Sequence, residues 1–370
     1  MLQIINQICM VSDRNVAEVL GATIIKGETT VLHAITTPQM DKMALNLEKT
    51  CAALDIKCQL HRLPRHNEPD TLLNLLNAIH AEKPDESWLV NLTGGTKLMA
   101  ITVFAWAEEH GIPAIYIDTG KKTIHIYQNG TWSSDLLPET LDYEALLTLY
   151  GFQIKNKKEK RLQDHWTPLL YKMAALASSL QGRQAIHTLN SRAWEATNTH
   201  SLYAPAHIGT PSFQQILNLG KSMGKLDFSS LRVTFKDIES REWCKGLWLE
   251  DYAQSILEQL QKEGKINSWA SSVIVESEGV TNELDAVFTT NNRLFVLECK
   301  TAKIDKQKSI LYKADSIRGM LGKIYTQFMI CSADYLKEEE KKRASNMGLQ
   351  TVQGEDLKYL RNRILAWIEN

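Results

Sequence analysis

Five short apolar runs, Gln3 to Val11, Thr30 to Thr36, Lys57 to Leu63, Ser87 to Leu92 and Ala114 to Asp118, punctuate the first third of the chain, with amphipathic stretches between them. That alternation predicts a parallel sheet whose strands are joined by helices crossing its faces. Asp41 to Leu54 and Pro69 to Lys83 carry helical spacing, and Lys97 to His110 is apolar on nearly all sides, which predicts a buried helix. The expected domain is Rossmann-like. Thr123 to Tyr127, followed by "QNGTW", predicts a closing hairpin at the sheet edge, because Asn-Gly favours the tight turn.

At 370 residues the chain exceeds what a single core usually supports, so two domains are expected, with room for a small third module. Phe152 to Asp164, polar and mostly basic, reads as a linker or as a solvated charged face. Trp166 to Asp237 holds two helical stretches and the hairpin-like "KLDFSSLRVTFKD", for which a winged-helix-like connector is one reading. A helix is expected from Glu242 to Lys262, with Leu249, Tyr252, Ala253, Ile256 and Leu260 on its core face. Two strands joined by "TNN" and a Lys-rich helix from Lys306 to Lys323 follow. The expected division is residues 1–150, 151–240 and 241–370.

Acidic and basic residues nearly cancel, leaving a net charge of −1, so a basic surface must be local. The six cysteines form no zinc-spaced cluster, and no apolar stretch nears the length of a membrane span. With no basic leader before the first apolar run, a reducing cytoplasm is the expected location.

The segment "NELDAVFTTNNRLFVLECK" carries the chemistry. Residues two apart share a face of a strand, so Glu298 and Lys300 point one way and Cys299 the other. Asp285, across the hairpin, falls near Glu298. Two converging carboxylates repel unless a cation lies between them, and hard oxygen ligands suit Mg²⁺ or Mn²⁺. A lysine two residues on orients the attacking water or offsets charge building on phosphate oxygens. A structural salt bridge is the alternative. Glu283 shares the face of Asp285 as an alternative ligand or a plain exposed glutamate. From Lys300 to Lys323 seven basic residues stand against Asp305 and Asp315, an excess suited to backbone phosphate or to a solvated helix face.

This pattern resembles the PD-(D/E)XK nuclease superfamily, whose restriction-endonuclease-like α/β fold the C-terminal domain is then expected to share. The resemblance implies that Glu250, in "GLWLEDYA", is the superfamily's helical acidic residue. It also implies that Asp285, Glu298 and the Cys299 main-chain carbonyl ligate the metal, with Lys300 as catalytic base or charge stabiliser. In one branch of the superfamily Lys313 and Arg318 would face the cleft.

The fourth strand runs through "NLTGGTK" straight into a helix. Glycines expose backbone amides, a helix N-terminus attracts phosphate, and Thr93, Thr96 and Lys97 add donors around Gly94 and Gly95. Neither the Walker spacing nor G-x-G-x-x-G is present, so ATP hydrolysis and nicotinamide chemistry lose support. Ser12, Asp13, Arg14 and Asn15 after strand one, and Thr36 and Thr37 after strand two, should line the same edge. A glycine turn with a capping threonine is the plainer reading.

"NLTGGTK" after such a strand is similar to the signature of CRISPR-associated Rossmann-fold (CARF) sensor domains. Together with the nuclease pattern, the whole chain resembles the CARF nucleases of type III CRISPR systems. That resemblance implies a cyclic oligoadenylate, usually the tetra-adenylate, bound across the two-fold axis of a homodimer and switching on cutting of DNA, RNA or both. The alternatives are a ligand-responsive DNA-binding regulator without catalysis and a constitutive restriction or repair nuclease.

Overall fold

The computed structural model describes residues 6–24, 31–65, 68–137, 140–158, 162–301 and 326–369, together with Leu311, Ala314, Ile317 and Gly319. By its contacts the chain divides into two compact units. One comprises Met1–Ile154, Glu276–Val280 and Asn291–Arg293; the other comprises Lys155–Val275, Thr281–Thr290 and Leu294–Asn370.

The first unit is built on a seven-stranded sheet of β1 (Asn6–Met10), β2 (Val31–Thr36), β3 (Lys57–Arg62), β4 (Trp88–Asn91), β5 (Ala114–Asp118), β6 (Thr123–Gln128) and β7 (Thr131–Leu136). Its order is β3-β2-β1-β4-β5-β6-β7. The first five strands are parallel, while β6 and β7 return antiparallel at the edge. Every residue of β1, β2 and β4 is buried, as in a parallel sheet covered on both faces. The edge hairpin turns at Asn129 and Gly130, with φ of 52° and 78°, the primed geometry that Asn-Gly selects.

Four helices cross that sheet: α1 (Val16–Ile24), α2 (Asp41–Ala53), α3 (Pro69–Ala81) and α4 (Lys97–Glu109). Leu72, Leu76 and Ile79 of α3 and Met99, Val103 and Trp106 of α4 pack on Ile8, Met10 and Val90. α4 is not buried all round as its composition predicted. Leu98 and Ile101 stay exposed at 44% and 65%, because the sheet covers only the stripe containing Met99, Val103 and Trp106.

The second unit holds a six-stranded sheet of β8 (Gln153–Lys158), β12 (Ser268–Ser277), β13 (Val280–Thr290), β14 (Arg293–Lys300), β15 (Thr326–Ser332) and β16 (Gln350–Gln353), in the order β16-β15-β14-β13-β12-β8. The basic run expected as linker or solvated face therefore supplies an edge strand, on which Lys155 is exposed. β14, β15 and β16 are parallel neighbours. β13 and β14 join through Asn291 and Asn292, with φ of 54° and 56°, so the expected "TNN" turn is a two-residue antiparallel hairpin.

A short helix, α5 (Tyr143–Leu149), closes the first unit, and the second also contains α6 (Thr167–Ala177), α7 (Leu180–Asn198) and α8 (Pro211–Ser222), with a three-stranded antiparallel sheet of β9 (Tyr203–Pro205), β10 (Leu226–Ser229) and β11 (Arg232–Phe235). Leu170, Met173, Ile186, Leu189, Ile216 and Leu217 share one continuous core with Phe288, Phe295, Leu297 and Trp367.

The helix predicted from Glu242 to Lys262 is interrupted. α9 (Ile238–Glu242) passes through a π-type turn, Trp243–Leu247, before α10 (Trp248–Lys262) begins. Gly246 sits at φ 153°, and a Cβ there would lie 2.1 Å from Thr301 Oγ1, so the break is fixed by close approach to the residue after Lys300. Beyond it the predicted face holds, with Leu249, Tyr252, Ala253, Ile256 and Leu260 all at 0% exposure.

Candidate functional site

Asp285 on β13 and Glu298 on β14 are charged residues inside a sheet otherwise lined by Leu, Val and Phe, with only 6% and 1% of their surfaces exposed. Lys300 Nζ lies 3.0 Å from Glu298 Oε1 and 3.7 Å from Asp285 Oδ2. Burial opposes the lysine's charge, but the two carboxylates outweigh it and hold the ammonium well above its ordinary pKa. The second Asp285 role is structural: Oδ2 accepts the Cys299 N–H at 2.7 Å, which fixes the carboxylate against the neighbouring strand. The Cys299 thiol is buried beside Cys331, its register partner on β15, and that contact, with burial, raises its pKa.

The expected trio of Asp285, Glu298 and Lys300 is thus one cluster. Glu250, in the first turn of α10, is half-buried and close enough for its charge to be felt at Cys299. Among the described residues no group of three or more His, Cys, Asp or Glu side chains is arranged to hold a metal. Glu283 is exposed. Lys303, Lys306, Lys308, Lys313, Arg318 and Lys323 lie outside the described residues, though Leu311, Ala314, Ile317 and Gly319 between them are helical.

The donor chemistry is nevertheless that of a hard-cation site. Two buried carboxylates converging on one ammonium offer the hard oxygen donors that a divalent ion such as Mg²⁺ or Mn²⁺ takes.

In the first unit the strand order reverses between β1 and β4, and the loops leaving these two strands flank the crevice where open α/β sheets take ligands. A cavity of about 340 Å³ opens there, lined by Ser12, Asp13, Thr37, Gly95 and Thr96 from the expected set, and by Gln39, Met40 and Met99, which the sequence had not suggested. Asn15, at φ 47°, shapes the first loop: its Oδ1 accepts the Ser12 N–H at 2.8 Å and its Nδ2 donates to the Met43 carbonyl at 3.1 Å. Thr96 caps α4, its Oγ1 accepting from the Met99 N–H at 3.2 Å.

Three expected ligand residues do other things. Thr93 turns inward, donating to Asn91 Oδ1 at 2.7 Å and accepting from the Ile117 N–H at 2.9 Å. Gly94 is buried where a Cβ would meet both the Met10 carbonyl and Glu18 Oε1 at 2.1 Å. Lys97 is exposed at the first position of α4, outside the cavity lining. Glu18 was missed by pattern reading, since an acidic residue on a helix ordinarily faces solvent. Here it is 1% exposed beneath both loops, and burial pushes its carboxyl up to about 7, against the Ser12 hydroxyl and backbone contact that lower it.

Two family models match the chain, one toward each end. The family model described as "Card1 CARF domain" matches residues 6–142, and the one described as "Card1-like, endonuclease domain" matches residues 237–370. No curated protein matches in sequence. Protein VC1899 from Vibrio cholerae has a similar fold over 98% of both chains, with a TM-score of 0.85 at 18% identity. Can2 from Sulfobacillus thermosulfidooxidans, solved in complex with cyclic tetra-adenylate, is similar over 99% of this chain and 97% of its own, with a TM-score of 0.77 at 21% identity. A type III CRISPR defence DNA nuclease activated by cyclic oligoadenylate matches 93% of this chain and 52% of its own, with a TM-score of 0.58 at 15% identity.

Proposed function

We propose, for a chain that belongs to the Card1 CARF and Card1-like endonuclease families, that it is a nuclease of type III CRISPR defence whose cutting is switched on by a cyclic oligoadenylate. The observation that carries the reading is the buried Asp285–Glu298 pair held by Lys300, in a chain whose other unit presents a crevice at the switch point of a parallel sheet.

Asp285, Glu298 and the Cys299 carbonyl would hold a divalent ion, Mn²⁺ or Mg²⁺, which supplies an acidified water and charge neutralisation at the phosphate. Lys300, kept as an ammonium by its two carboxylates, serves as charge stabiliser rather than base. Its Nζ offsets the negative charge that grows on the phosphoryl oxygens as water attacks phosphorus and the bridging P–O bond breaks. Glu250 acts from the rim on water or substrate.

In the other unit Ser12, Asp13, Thr37, Gly95 and Thr96 receive the activator, and Gly94 sets the loop's path. Lys97, on the mouth of α4, offers its charge to a phosphate that reaches beyond the cavity. Cyclic tetra-adenylate is the activator we propose, in keeping with the ligand bound to Can2. Exposed Leu98 and Ile101 continue from the loop along α4, a surface on which a second copy would set its own loop beside the first. No helix among the described residues is long and apolar enough to cross a membrane.

Cleavage should be measured on single-stranded DNA, duplex DNA and RNA, with Mn²⁺ or Mg²⁺, and with cyclic oligoadenylates of different sizes. We expect slow cutting alone, fast cutting with cyclic tetra-adenylate, none in Glu298→Ala, and weaker activator binding by titration calorimetry in Lys97→Ala. Cutting indifferent to every oligoadenylate, or surviving Glu298→Ala, overturns the reading.

A further inference from the structure

Arg183, His187, Asn190 and Trp194 fall on one face of α7 at spacings of four, three and four residues. Three of them meet the chain where β14 and β15 end. Arg183 lies over the Tyr335 ring at 4.7 Å, His187 Nε2 is 3.7 Å from Asp334 Oδ2, and Asn190 bonds to Thr301 beside Lys300. The fourth continues the line one turn further along α7, where Trp194 is 52% exposed.

Its ring has a cation against one face. Lys245 Nζ sits 4.3 Å from the Trp194 centroid, on a side chain that is 11% exposed and paired with Glu242 at 2.6 Å. The Lys245 carbonyl accepts the Thr301 hydroxyl at 3.3 Å, which ties the indole's support to the residue following Lys300. An ion-paired lysine beneath one face keeps the ring from collapsing onto the protein, and it polarises the indole for stacking.

We propose that Trp194 is the platform on which an unpaired base of the nucleic acid stacks beside the scissile phosphate, making it a positioning residue for the Asp285–Glu298–Lys300 site. This rests on the nuclease reading above. The faces of all four bases are alike to an indole, so the platform fixes strand position without reading sequence. A base paired within a duplex would have to leave its stack to reach it, so unpaired substrate is favoured.

The test uses the full chain with activator and metal, a single-stranded oligonucleotide, and the same strand carrying abasic positions. Trp194→Ala should raise KM roughly tenfold with kcat changed less than about threefold, within what one base–aromatic contact contributes, and Trp194→Phe should restore most of it. Abasic substitution should weaken wild type by a similar factor and leave Trp194→Ala almost unaffected. Equal KM for wild type and Trp194→Ala, or equal sensitivity of both to abasic positions, overturns the platform. Fluorescence anisotropy without metal reads binding independently of cutting. A strand bound in a Trp194-dependent way but never cut refutes the nuclease and keeps the platform, whereas cutting with Trp194-independent binding does the reverse.

Discussion

Replacing Lys300 with methionine removes the only cation within 4 Å of both Asp285 and Glu298 among the described residues, while keeping the length and packing of the side chain. At 3.0 and 3.7 Å the two attractions are worth about 5.5 and about 4.5 kcal/mol at an effective dielectric constant near 20. Lys300 is 39% exposed, so water screens much of that, and the cost of removing this cation from beside two buried carboxylates is expected at about 2–3 kcal/mol. In a unit of this size the loss lowers the Tm by roughly 5–10 °C without metal. Two consequences separate this account from a packing defect. Saturating Mn²⁺ should raise the Tm of Lys300→Met more than that of wild type, because a second cation source replaces the lost one. The double variant Glu298→Gln/Lys300→Met should be more stable than Lys300→Met, because one of the repelling charges is gone. Differential scanning calorimetry with chelator and with Mn²⁺ measures all three proteins. A Lys300→Met protein as stable as wild type in chelator, or a double variant no better than the single, refutes the reasoning.

Glu18 gives a pH dependence of opposite sign to that of a salt-bridged acid. Its folded pKa lies above the unfolded one, so its contribution is full below the ordinary carboxyl range, declines as pH rises to about 7, and costs roughly 3 kcal/mol beyond. Denaturant unfolding across pH 5–8.5 should show that decline in wild type and lose it in Glu18→Gln. Gly94→Ala, whose Cβ would lie 2.1 Å from the Met10 carbonyl, must displace backbone and should cost more than about 2 kcal/mol and abolish activator binding by calorimetry. Gly246→Ala should slow cutting at least tenfold with unchanged activator affinity. Gly246→Ala/Thr301→Ala should recover part of that rate, since it relieves the contact with Thr301 Oγ1 but not the φ of 153°.

Legibility in the sequence followed how local the cause was. β1 to β5, the Asn129–Gly130 hairpin and the Asn291–Asn292 turn all declare themselves through apolar runs or through turn residues that tolerate positive φ. Asp285, Glu298 and Lys300 were readable because alternation along β14 and a short hairpin suffice to bring them together. The interruption at Gly246 was not, since its cause is Thr301, 55 residues away by the numbering. β8 was hidden by its lysines, which suit a wet edge as well as a linker. The stretch holding Leu98 and Ile101 reads as interior because hydropathy records that a face is apolar, not whether the sheet reaches it. Trp194 escaped because its stripe on α7 gains meaning only from where β14 and β15 end.

The continuous core that joins α6, α7 and α8 to the C-terminal sheet separates two boundaries often treated as one. Recognisable endonuclease sequence begins at residue 237, yet Leu170, Met173, Ile186, Leu189 and Leu217 are packed against partners well beyond it. A fragment cut at the family boundary would open an apolar wall and lose the helix that holds Thr301. The compact unit therefore begins near Lys155, and what is inherited as a recognisable sequence is shorter than what packs together.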